Sequence, residues 1–303
     1  MAVIILYMLI MLALICESEI VSEGAYEGLM LWFNSVLPLL LPFMLLSSMI
    51  VDRINKLPKD RQKSFAILIT LFTGLFCGYP LGAKNSAEFV RKNIYSKRTG
   101  ELLLPLCNNC SPMFLSGYII LSILKNRISL LHALFFIYVP YIIYIIIIIL
   151  SDIIFNPHKI NAEKISTNTI SDLNESETSY KLRNDNDFVM QTVIQITYVG
   201  FYIILCSIIS NFIMSVNTDY AKTKVILSGI TEITKGTKLI YDCSLFDFKT
   251  KTALVLSLSS FGGISSILQT ESVIKKSDLS VIKYIITKAI CALATYGLVL
   301  LFI

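Results

Sequence analysis

Apolar runs of roughly twenty residues alternate along this chain with short charged stretches, the layout of a protein whose solvent is mostly lipid. Residues 1–20, apolar from Ala2 to Cys16, read as a short first transmembrane helix. Gly28–Val51 is long enough to cross a bilayer and carries Pro38 and Pro42, which predict a kink. Residues 17–27 hold four acids and no base, whereas residues 52–63 hold Arg53, Lys56, Lys59, Arg61 and Lys63. The positive-inside rule puts the basic stretch in the cytoplasm and the acidic one outside.

Residues 64–83 are apolar but run into Gly78-Tyr79-Pro80-Leu81-Gly82-Ala83-Lys84, and Arg91, Lys92, Lys97 and Arg98 follow. A full crossing would place these four bases outside. A re-entrant hairpin that breaks at Gly78-Tyr79-Pro80 keeps both flanks cytoplasmic, and broken backbone at membrane depth requires protein or a water-filled cavity around it. Leu102–Leu124 is predicted to cross with an interruption at Cys107-Asn108-Asn109-Cys110-Ser111-Pro112, and Ile128–Ile154 to cross without one. Residues 156–187, rich in Asn, Ser, Asp and Glu, read as a flexible polar cytoplasmic linker.

The same order then returns. A span from Phe188 to Val216 precedes a Gly-broken stretch, Gly229–Gly236, an interrupted span through Ser259–Ser266, and a last span from Leu279 to Ile303. A shift of 151 residues brings Gly78 onto Gly229, Lys84 onto Lys235, Asn108–Pro112 onto Ser259–Gly263, and Lys125 onto Lys276. Residues 28–155 and 188–303 are thus predicted to form two repeats. Each has three full crossings and one hairpin; three is odd, so the repeats have opposite orientation, as in many secondary transporters. The expected fold is an all-α polytopic membrane protein with two inverted repeats, re-entrant hairpins and interrupted helices.

Composition agrees with this reading: 55% of the residues are hydrophobic, 16% are charged and the mean hydropathy is +0.70. The net charge of +5 is accounted for by loop bases, and no basic stripe with interleaved aromatics points to nucleic acid. With two histidines and only Cys107 and Cys110 at metal or redox spacing, neither a metal nor a cofactor is expected. No Ser–His–Asp set, paired catalytic carboxylates or Walker motif is present, so neither an enzyme nor ATP-driven transport is expected.

The breaks carry the candidate chemistry. Helix N-termini at Gly78, Tyr79, Pro80 and Gly82 favour anions. Lys84 and Lys235 at equivalent places suit a solute with two negative groups, or else snorkel to the interface and only orient their hairpins. Glu232 either pairs with Lys235 or holds a coupling proton or sodium ion. Thr231, Thr234, Asn108, Asn109, Ser111, Ser259, Ser260, Ser265 and Ser266 offer uncharged donors and acceptors, while Gly262 and Gly263 allow close helix packing. The expected partners are a small anionic solute and the lipid bilayer.

The Pro-kinked span Leu37–Phe43, Gly78–Lys84, Cys107–Pro112, Gly229–Ile240 and Ser260–Gln269 together resemble the sporulation integral membrane proteins of the YlbJ type, within the wider nucleoside-recognition or Gate-domain group. The resemblance runs from about residue 28 to residue 303. Gly229–Glu232 and Ser259–Ser266 are also distantly similar to the second hairpin and broken helix of concentrative nucleoside transporters. The family implies a spore-forming Gram-positive source, a place in the cell or forespore membrane, and movement of dipicolinate, a planar aromatic dicarboxylate. Its motifs carry solute-lining roles onto Gly78–Lys84, Asn108–Ser111, Thr231–Lys235 and Ser259–Ser266. The Cys107–Pro112 stretch departs from the Asn-Ser-Ser-Asn-Pro-like residues of the family. A nucleoside transporter and a non-transporting scaffold of the sporulation apparatus are the alternative functions.

Overall fold

The structure, a computed structural model, describes residues 2–155, 185–217 and 220–303; all but the last three residues of the polar linker 156–187 lie outside them. The described residues form fourteen helices and no strand. The first eight are α1 (Ala2–Cys16), α2 (Ser18–Leu31), α3 (Leu37–Asn55), α4 (Lys59–Cys77), α5 (Leu81–Arg91), α6 (Lys97–Leu106), α7 (Pro112–Ile123) and α8 (Leu130–Phe155). The rest are α9 (Asp185–Ser215), α10 (Ala221–Thr231), α11 (Ile233–Asp242), α12 (Phe248–Phe261), α13 (Gly263–Ile274) and α14 (Val281–Phe302).

Four stretches of helix among the described residues are long and apolar enough to cross a membrane: Leu130–Ile154, Val189–Ser215, Phe248–Ile274 and Val281–Phe302. Ser18–Val36 and Leu40–Asn55, bent by 56° to each other, amount to a fifth. The bend falls at Leu37-Pro38-Leu39, after a π-helical turn at Trp32–Val36. Pro38 has no N–H to give the preceding turn, which is the ordinary cause of such a kink.

Helix α1 has 15 residues, about 22 Å at 1.5 Å each, short of a bilayer core of about 30 Å. Residues 17–27 are helical from Ser18 onward. Gly24 and Gly28, one turn apart, let α2 lie directly on α9, where a Cβ at Gly28 would sit 2.7 Å from the Ile204 Cα. Glu19, Glu23 and Glu27 stay on the exposed side of α2. The Trp32 indole N–H donates to the Ile196 carbonyl at 3.1 Å and ties the end of α2 to the same partner.

The four breaks fall where Gly, Pro, Asn or an acid interrupts an apolar run. Helices α4 and α5 part at Gly78-Tyr79-Pro80, α6 and α7 at Cys107–Ser111, α10 and α11 at Glu232, and α12 and α13 at Gly262. Helix starts recur at one spacing: Lys97 and Phe248, Pro112 and Gly263, and Leu130 and Val281 each lie 151 residues apart. The largest apolar core joins both sides of that spacing, with Leu115, Ile119, Ile123, Phe136 and Ile137 against Val255, Leu256 and Val299. On α8, Ile142, Ile143, Ile146, Ile147 and Ile153 remain exposed, as a lipid-facing surface requires.

Candidate functional site

A partly open cavity lies where the four breaks meet. Its wall contains Gly78 and Tyr79 before α5, Ser111 and Phe114 at the start of α7, Glu232, Ile233 and Thr234 at the start of α11, and Gly262, Ser265 and Ser266 at the start of α13. Four helices therefore begin at this cavity. Of the four that end at the same breaks, α4 alone contributes a last-turn residue, Cys77. Unpaired N–H groups at helix starts carry partial positive charge, so the imbalance leaves the cavity with a positive backbone potential.

Local sequence explains why the starts differ. The Ser111 hydroxyl accepts the Phe114 N–H at 3.2 Å, and the Glu232 carboxylate accepts the Lys235 backbone N–H at 2.8 Å, so α7 and α11 are capped by their own side chains. Helices α5 and α13 have no side-chain cap. Gly262 holds φ at +90°, a left-handed conformation that glycine adopts without cost, and this turns the chain sharply into α13. The remaining wall is mixed: Ser35 and Gln269 are polar, and Leu31, Val36, Leu40 and Ile203 are apolar.

Lys84 and Lys235 are not among the wall residues. The Lys84 ammonium donates to the Ser48 hydroxyl at 2.7 Å, in a small polar pocket with Asp52, Glu88 and Gln191. Lys235 is bound to Asn211 and, at 2.5 Å, to Glu27. The two lysines thus occupy separate polar clusters, each held by α3 or by α2 and α9. Of the two readings of Glu232, a side-chain ion pair with Lys235 is not what forms.

The other candidates stand behind the wall. Pro80 leads into α5, and Gly82 is buried so closely on α6 that an added Cβ would overlap the Cys107 carbonyl oxygen. Thr231 and Ser259 donate to carbonyls of their own helices, at Leu227 and Val255. The Ser260 hydroxyl meets the Tyr141 hydroxyl at 3.2 Å, and Gly263 lies against the Ile230 carbonyl. Asn108 donates to the Thr270 hydroxyl at 2.6 Å and to the Tyr284 hydroxyl at 2.7 Å. Asn109 donates to the Pro105 and Leu106 carbonyls and so caps the end of α6. Cys110 lies in the wall with its sulfur 3.2 Å from the Ser259 carbonyl and 3.7 Å from the Tyr79 hydroxyl.

One charged residue absent from the sequence-based candidates lies beside the site. Lys288, in the middle of α14, is fully buried and donates to the Asn108 carbonyl at 3.0 Å and to the Asn109 side-chain oxygen at 2.7 Å. Its signal in the sequence is a base deep inside the apolar run 281–302, a full turn past Lys283 near the start, where a lysine is expensive unless it has partners.

No protein-family model matches the chain, and no solved structure matches it. The sporulation integral membrane protein YlbJ of Bacillus subtilis is 28% identical over 114 residues, which cover 34% of this chain and 28% of that protein. The match spans little more than a quarter of the relative's length. Together with the long apolar helices, this similarity makes the chain a multi-pass integral membrane protein.

Proposed function

We propose that the chain is a transporter or facilitator for a small anionic solute, bound in the cavity between the four breaks. The observation that carries this is the convergence of four helix starts on one cavity, two of them without a side-chain cap. A carboxylate entering there would accept the open N–H groups at the start of α13, while hydroxyls of Ser111, Thr234, Ser265 and Ser266 bind its remaining oxygens. The recurrence of helix starts supports an inverted repeat, whose rocking would expose such a site to either side. Glu232, buried in the wall, is the group on which a coupling proton or sodium ion would sit. The sporulation setting of the similar protein favours a spore solute, for which dipicolinate, a small dicarboxylate, is the candidate.

A second reading has its own support. Glu232 is an acceptor in the wall and suits a neutral solute with hydroxyl donors, such as a nucleoside. Purified protein in liposomes separates the readings. Uptake of dipicolinate above protein-free liposomes, reduced in Gly262→Ala, is the expected result. Uptake of a nucleoside alone would favour the second reading, and uptake of neither would leave a membrane scaffold.

A further inference from the structure

Lys288 raises a question that the cavity does not answer. It is fully buried, yet among the described residues it belongs to no ion pair. Its neighbours are carbonyl groups and aromatic faces. The ammonium donates to the Asn108 carbonyl and the Asn109 side-chain oxygen, and lies 5.2 Å from the centre of the Tyr141 ring and 6.0 Å from that of Tyr284. Carbonyl groups just past a helix end carry partial negative charge, and ring faces attract cations, so the charge is met without a carboxylate.

The contacts lead onward to the cavity wall. Asn109 uses its side-chain N–H groups on the end of α6, its side-chain oxygen on Lys288, and its backbone carbonyl on the Tyr79 N–H at 3.1 Å. Tyr79 lies in the wall directly before α5, and Ser111 lies in the wall two residues after Asn109. Asn108 is held from its other side by Thr270 and Tyr284. The residue 151 positions before Lys288 is Ile137, buried and apolar. The ammonium therefore serves one break and not its counterpart.

We propose that Lys288 is a positioning residue for the cavity: by holding Asn108 and Asn109 it fixes the turn between α6 and α7, and through the Asn109 carbonyl it sets where Tyr79 and the open start of α5 stand. The proposal deepens the reading of this cavity as a solute site and rests on it. Lys288 does not touch the solute; it acts through the turn.

Hydrogen exchange of the full chain in lipid nanodiscs tests it without any solute. Lys288→Met keeps the length and removes the donors. Peptides covering Tyr79 and residues 107–112 should then exchange about ten- to a hundredfold faster, the effect of losing one charge-assisted contact, while peptides of α9 keep the parent rate. Lys288→Arg, which retains donors and charge, should remain closer to the parent. Asn109→Ala should give the same local pattern, and the double variant should add nothing to either single one. Unchanged exchange at Tyr79 in Lys288→Met, or additive effects in the double variant, would overturn the proposal. If Lys288→Met does not fold, Asn109→Ala and Lys288→Arg decide by the same criterion: the first must release Tyr79 and the second must not. Because no solute enters, this outcome is independent of the uptake experiment, whose failure would remove only the functional reading of the cavity.

Discussion

The Lys235 ammonium meets Glu27 at 2.5 Å, while the Glu232 carboxylate, three residues before it, accepts the Lys235 backbone N–H at 2.8 Å. The first contact joins α11 to α2; the second closes the start of α11 on itself. The Glu27–Lys235 pair is partly exposed, 44% and 22% at its two side chains, which limits its strength. A double-mutant cycle with Glu27→Gln and Lys235→Met, followed by thermal melting in detergent, should give a coupling of about 0.2–1 kcal/mol. A markedly larger value would mean that the pair, not the apolar contact of α2 with α9, holds α2 in place.

Glu232 has two separable duties. As an N-cap its replacement by Ala should cost about 0.5–2 kcal/mol of stability, and Gln, which keeps an acceptor oxygen, should cost less. As the proposed seat of a coupling cation, Glu232→Gln should leave solute exchange in liposomes intact while removing any dependence on a proton or sodium gradient. Gradient dependence that survives in Glu232→Gln would place coupling elsewhere.

Close backbone approach predicts opposite outcomes at two glycines. A Cβ at Gly82 would overlap the Cys107 carbonyl oxygen, so Gly82→Ala should destabilise by about 1–3 kcal/mol through overpacking. Gly117 has nothing within 4 Å of its would-be Cβ, and Gly117→Ala should be neutral or stabilising by up to about 1 kcal/mol. Melting temperatures of the two variants in one detergent compare them directly.

The hairpin of α4 and α5 is predicted to enter and leave on one face. Single cysteines at Leu57 and Lys97, in a chain from which the native cysteines have been replaced, should react with a membrane-impermeant maleimide from the same side. Labelling from opposite faces would turn this hairpin into a crossing and remove the proposed inverted relation of the two halves.

The positions of the breaks were legible because Gly, Pro and Asn stand out against an apolar background. Gly78-Tyr79-Pro80, Cys107–Pro112 and Gly262 each mark a helix end through a local rule of backbone geometry. The charged contacts were not legible. Lys235 meets Glu27 across 208 positions of sequence and Lys288 meets Asn109 across 179, and neither spacing obeys a helix or strand period. The helix contact within residues 17–27 was hidden for a different reason: the acids of one face stand out in the sequence, while two glycines on the other face build the contact. Lys84 was placed by symmetry with Lys235, but symmetry of position along the chain does not fix where a long side chain ends.

The helix starts around the cavity also set a limit on what mutation can change. Their N–H groups belong to every residue type except proline, do not titrate in the accessible pH range, and cannot be exchanged by altering a side chain. Substitutions in the wall can reshape the cavity or supply a different hydroxyl, as Ser111, Ser265 and Ser266 do now. The sign of the backbone's electric field stays with the fold. On the proposed reading of the cavity as a solute site, a lineage built on this scaffold could exchange one solute for another by small changes in the wall, and would have to dismantle a break to reverse the charge it favours.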